Sequence, residues 1–134
     1  MDQMLMVGVK VFLQDQHGRY LLLRRSTVKY PEVPPSWDIP GGRINIGTPL
    51  IENLQREIYE ETGLTALEPI TLLYAQDIIR EDKHVVRLTY KARVDGQPRL
   101  DTENDGYCWF TVAALQQLPD LDEFARGVVD AGLL

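Results

Sequence analysis

The chain carries a single cysteine, Cys108, and so lacks an internal disulfide, which fits a reducing, cytoplasmic setting. No stretch approaches the roughly 18 consecutive apolar residues of a membrane-spanning helix, and no charged segment followed by an apolar run opens the chain. Positive charge is scarce. Fourteen Lys and Arg stand against 20 Asp and Glu, a net charge of −6. That balance argues against nucleic-acid polymers and anionic membranes as partners, because a phosphate surface is gripped by a basic one. The two histidines, His17 and His84, stand apart in charged turns, and neither is given a role. Repeats, low-complexity tracts and obvious linkers are absent, so residues 1–134 are expected to form one domain with a sizeable core.

What the chain does have is acid concentrated in one place. Residues 42–64 read GRINIGTPLIENLQREIYEETGL. The apolar spacing predicts a helix over Pro49–Thr62, with Ile51, Leu54 and Ile58 as the stripe that docks on a sheet. At 3.6 residues per turn, Glu57, Glu60 and Glu61 then share one face. Like charges so spaced weaken a helix by a few tenths of a kcal/mol per pair, a cost that a bound divalent cation removes. Oxygen donors without His or Cys nearby favour magnesium, with manganese as the alternative, over zinc. The blander reading is a solvated acidic face. Upstream, Trp37–Gly42 forms a short strand ending in Pro40-Gly41-Gly42, and a glycine pair lets backbone approach a ligand closely.

Elsewhere the pattern gives strands at Met4–Gln14, Tyr20–Arg25, Ile70–Ile79, Val85–Val94 and Tyr107–Thr111. A proline-bearing loop covers Ser26–Ser36, and helices are expected at Val112–Gln117 and Leu121–Asp130, the latter stopped by Gly132. Strands interleaved with helices give an α/β fold. Cys108, flanked by Tyr107 and Trp109 without a neighbouring base, reads as a packing residue rather than a nucleophile.

The acidic segment resembles the signature of the Nudix hydrolase family: glycine, five residues, Glu, seven residues, then Arg-Glu-aliphatic-any-Glu-Glu-any-Gly-aliphatic. Gly42, Arg56, Glu57, Ile58, Glu60, Glu61, Gly63 and Leu64 match in register, and Gly18–Arg25 resembles the family's second strand. One position departs. Thr48 stands where the family carries its first Glu, and followed by Pro49 it reads as a helix N-cap that secures the start of the helix. Glu52 lies roughly 140° from Glu57 around the helix and is not expected to substitute.

The resemblance implies a Nudix-type α/β/α sandwich with a mixed β-sheet, and a magnesium-dependent hydrolase cleaving a phosphoanhydride of a nucleoside diphosphate linked to another moiety. It implies metal ligands at Glu57, Glu60, Glu61 and Gly42, with Glu57, Glu60, Arg56 and Glu103 as the catalytic set. Arg25 and the Gly41–Gly42 backbone become the substrate contacts. The general base is left open between Glu57 and Glu103, which lies in the acidic turn DTENDGY. The expected partner is a small phosphorylated nucleotide, and a homodimer is the assembly common among similar proteins. The alternative is a catalytically weakened Nudix module that binds a nucleotide or nucleotide sugar as a sensor, which the loss at Thr48 favours. A scaffold role ranks last.

Overall fold

The computed structural model describes residues 3–134. Its strands are β1 (Met4–Gln14), β2 (Tyr20–Arg25), β3 (Trp37–Asp38), β4 (Gly41–Arg43), β5 (Leu67–Ile79), β6 (Lys83–Arg93) and β7 (Asn104–Phe110). The helices are α1 (Leu50–Thr62), α2 (Val112–Gln117) and α3 (Glu123–Asp130). The strands form one sheet ordered β3-β2-β1-β6-β5, with β4 paired to β1 and β7 paired to β2. The β1–β6 pairing is parallel and the others are antiparallel, so the sheet is mixed.

Both faces of the sheet are covered, which explains why Val11–Leu13 and Tyr20–Leu23 are apolar without alternation. On one face Val9, Val11, Leu13, Leu21 and Leu23 meet Leu54 and Ile58 of α1. On the other, Phe12, Tyr20 and Leu22 meet Leu115, Ala125, Val128 and Val129 of α2 and α3. The result is the expected α/β/α sandwich. Leu54 and Ile58 are fully buried, each contributing roughly 1.5–3 kcal/mol of hydrophobic stabilisation.

Two expectations for α1 are corrected. Ile51 remains 39% exposed, beside Glu68, Pro69 and Ile70, while Asn53 and Thr62 are buried in the face that docks. Nor does Thr48 cap the helix. Pro49 is the N-cap, with φ −59° and ψ 151°, and no side-chain cap bond is formed. The helix starts one residue later than the pattern suggested, so Thr48 sits in a turn and donates its N–H to the Asn45 carbonyl at 3.1 Å. Cys108 is exposed on β7, which among the described residues pairs only with β2, so it lies at the edge of the sheet rather than in the core.

Split pairing along β1 places the site. Its Gly8–Lys10 segment pairs with β4, whereas β2 joins it only at Gln14. The sheet therefore parts near the glycine pair, and α1 crosses that opening.

Candidate active site

Gly41 and Gly42 are fixed by what surrounds them. Gly41 has φ +135°, and a Cβ there would lie 2.0 Å from the Val9 carbonyl oxygen, so no side chain fits. A Cβ on Gly42 would lie 2.7 Å from Glu57 Oε2, which means that the bare backbone of β4 lies against the carboxylate of α1. Gly41 also donates its N–H to Glu61 Oε1 at 2.8 Å. Helix and loop are built around each other.

The three helix carboxylates differ in environment. Glu61 is half-buried, and desolvation pushes its carboxyl up to about 7 against the opposing charge of Lys10 and the Gly41 N–H bond. Burial also raises Glu57, opposed by Arg56. Glu60 is the most exposed of the three and receives Arg56 Nη1 at 3.1 Å on both oxygens. Arg56 Nη2 reaches Glu57 Oε1 at 3.1 Å and Asn53 Oδ1 at 3.2 Å. The acidic face is therefore already partnered by Arg56 on one side.

Arg25 and Glu103 line the same cleft, as expected, but each is engaged elsewhere. The Arg25 guanidinium lies 4.9 Å from the centroid of the Tyr30 ring. Lys29 Nζ donates to one Glu103 oxygen and the Tyr30 hydroxyl to the other, and these bonds hold the Glu103 carboxyl below its ordinary value. Glu103 is thus turned toward the 26–36 loop rather than toward α1.

The opposite wall was not found by sequence reasoning. Lys10 Nζ pairs with Asp38 Oδ2 at 3.2 Å, and buried Arg87 bridges Asp38 Oδ1 at 3.1 Å and Asp122 Oδ2 at 3.3 Å. Backbone bonds from Trp37 N to Asp120 O and from Asp122 N to Trp37 O bring the two aspartates together. The available sign was a cation set between apolar neighbours in each of two strands, in VGVKVFL and VVRLTY, where a charge needs a partner.

Together these walls enclose a cleft of about 420 Å³ carrying seven carboxylate side chains against two cations, Lys10 and Arg25. The family model for the NUDIX domain matches residues 4–131.

The chain belongs to the Nudix family.

It is 28% identical to the Bacillus subtilis (strain 168) protein named "Putative 8-oxo-dGTP diphosphatase", an alignment covering 94% of this chain and 84% of that one. It is 30% identical to the RNA pyrophosphohydrolase of Caulobacter vibrioides (strain NA1000 / CB15N), over 93% of this chain and 80% of the relative. Among solved structures it is similar to the MutT protein of Methanosarcina mazei Go1, with a TM-score of 0.85 and 24% identity over 98% of this chain and 94% of that one. Three further curated relatives are much longer, and the chain spans 21–33% of their length. As a Nudix enzyme the protein is a hydrolase acting on phosphoanhydride bonds.

Nudix proteins generally use divalent metals, and the residues here fit one. The donors are all oxygens, the missing Cβ of Gly42 leaves the Glu57 carboxylate against bare backbone, and half-buried Glu61 is held by the Gly41 N–H beside it. Among the described residues no three acidic, His or Cys side chains already converge as a cage. Arg56 Nη1 instead engages both oxygens of Glu60.

Proposed function

We propose that this protein is a magnesium-dependent hydrolase that cleaves a phosphoanhydride in a nucleoside diphosphate linked to another moiety, most simply a nucleoside triphosphate. Manganese is the alternative cation. The observation that carries this reading is the charge of the cleft. Even with Lys10, Lys29, Arg56 and Arg87 paired to them and Arg25 beside them, the seven carboxylates leave the cleft acidic, so a polyphosphate is best accommodated with a cation, and three of the acids, Glu57, Glu60 and Glu61, lie on α1 beside the glycine pair. In this reading those three side chains and the Gly42 backbone carbonyl hold the ion. Once bound, a divalent cation neutralises phosphate oxygens and makes water a better nucleophile.

The chain's own groups supply the rest. Arg25 offers a planar fork to a phosphate once it leaves the Tyr30 ring, and the backbone at Gly41 and Gly42 lets the substrate approach. Glu57 accepts the proton of the attacking water as the new P–O bond forms and the bridging P–O bond breaks. Engagement of Glu103 by Lys29 and Tyr30 supports Glu57 over Glu103 as that base. A reducing cytoplasm fits the single cysteine. A homodimer is the assembly to look for, because outer strand β5 leaves Leu67, Leu72, Tyr74 and Ile79 exposed.

The test is release of phosphate or pyrophosphate with magnesium over a panel of nucleotides, nucleotide sugars, 8-oxo-dGTP and RNA carrying a terminal phosphoanhydride. Wild type, Glu57→Gln and Thr48→Glu are compared. Turnover by wild type that Glu57→Gln abolishes supports the reading, and no turnover across the panel overturns it. Thr48 favours a second reading, a weakened module that senses a nucleotide. Tight nucleotide binding without hydrolysis, unchanged in Glu57→Gln, would establish that one instead.

A further inference from the structure

Asn53 is fully buried in the first turns of α1, on the face of the helix that docks. Such a position ordinarily takes an apolar side chain, because an amide removed from water must find partners. Asn53 finds three. Its Oδ1 accepts the Asn45 N–H at 3.0 Å and Arg56 Nη2 at 3.2 Å, and its Nδ2 donates to the Arg43 carbonyl at 3.3 Å. One side chain therefore fastens the 43–48 loop to α1 and to the guanidinium that holds Glu57 and Glu60. The Nε of Arg56 is buried without a partner, so the direction of this guanidinium depends on its two outer nitrogens. Of the three side chains that Arg56 contacts, Asn53 is the one not assigned to hold the cation.

Thr48 belongs to the loop that Asn53 pins. The signature carries a supporting Glu there, and the helix start in this chain has no side-chain cap. We propose that Asn53 is a positioning residue for the carboxylate site, bracing from α1 the loop and the arginine that a carboxylate at position 48 would support from the loop itself. The inference rests on the cation-holding role given above to Glu57 and Glu60.

The test compares wild type, Asn53→Ala, Asn53→Asp, Thr48→Glu and the double variant Thr48→Glu/Asn53→Ala. Two quantities are read: the affinity for manganese alone, by water-proton relaxation, and kcat and KM for whichever panel nucleotide the wild type hydrolyses. Loss of a partner that orients metal-binding groups typically costs roughly ten- to a hundredfold in affinity or rate, and Asn53→Ala is expected to fall in that range with little change in nucleotide KM. Thr48→Glu restores most of the loss. Asn53→Asp keeps the bonds from Asn45 N–H and Arg56 Nη2 but turns an oxygen toward the Arg43 carbonyl, so it is expected to cost fold stability while holding manganese affinity closer to wild type than Asn53→Ala, and it gives the answer if the alanine variant does not fold. The proposal is overturned if folded Asn53→Ala binds manganese and turns over like wild type. It is equally overturned if Thr48→Glu changes wild type and Asn53→Ala by the same factor, since independent sites add. A wild type that hydrolyses nothing, together with an Asn53→Ala variant that loses manganese affinity, would remove the proposed activity and leave this inference standing.

Discussion

Adjacent glycines in this site have different reasons to be glycine, and substitution separates them. Alanine at Gly42 brings a Cβ to within 2.7 Å of Glu57 Oε2, the mobile end of a side chain, so the fold can absorb it while the carboxylate cannot stay where it is. We expect Gly42→Ala to melt close to wild type and to lose most of its hydrolytic rate. At Gly41 the clash is with the Val9 carbonyl, part of the sheet, and φ is +135°. Gly41→Ala should therefore lose at least the roughly 1–3 kcal/mol of a strained backbone residue, read by chemical denaturation. The two acids proposed as base also separate by substitution. Glu57→Gln removes a proton acceptor at the cleft and should cost about 10²–10⁴ in rate. Glu103→Gln should cost far less, because its carboxylate is spoken for by Lys29 and Tyr30. Equal losses in the two variants would contradict the choice of Glu57.

Among the elements, α3 shows how a cap can serve the site as well as its own helix. Asp122 accepts from Phe124 N and Ala125 N and also pairs with Arg87, the buried cation that holds Asp38. Asp122→Ala is expected to lose about 1–2 kcal/mol as an N-cap alone, with more from leaving Arg87 half-partnered. Urea denaturation measures it. The same elements show which parts of the structure could be read from the chain. Helix α1 was legible because its carboxylates and Leu54 and Ile58 lie close enough in sequence for a 3.6-residue period to place them. The covered sheet was legible too, since continuous apolar runs in β1 and β2 require two buried faces. Lys10, Asp38, Arg87 and Asp122 were not, because they meet only through the β1–β6 pairing and the Trp37–Leu121 bridge. Thr48 misled for a local reason: Pro49 takes extended backbone angles, so the helix begins beyond it.

At the scale of the molecule, Lys10 and Arg87 on the β1–β6 pair hold Asp38 of β3 by direct ion pairs, and acid should reveal them. Burial works to raise the Asp38 carboxyl, yet Lys10 and Arg87 outweigh it and hold the group below the ordinary carboxylate range. A carboxyl depressed by folding contributes stability that is fully present above its unfolded value and is lost as pH falls through the folded one. Asp38→Asn should accordingly melt below wild type at pH 7, with the gap closing as the pH drops below about 4. A gap that is constant with pH would mean that Asp38 acts through packing alone. The central claim, that the α1 carboxylates hold a cation for phosphoanhydride cleavage, is tested most directly by the initial hydrolysis rate of the best panel nucleotide as a function of free magnesium. A saturable rise from a negligible rate in chelator is expected, restored on adding magnesium back and absent in Glu57→Gln. A rate indifferent to chelation, or retained by Glu57→Gln, would contradict it.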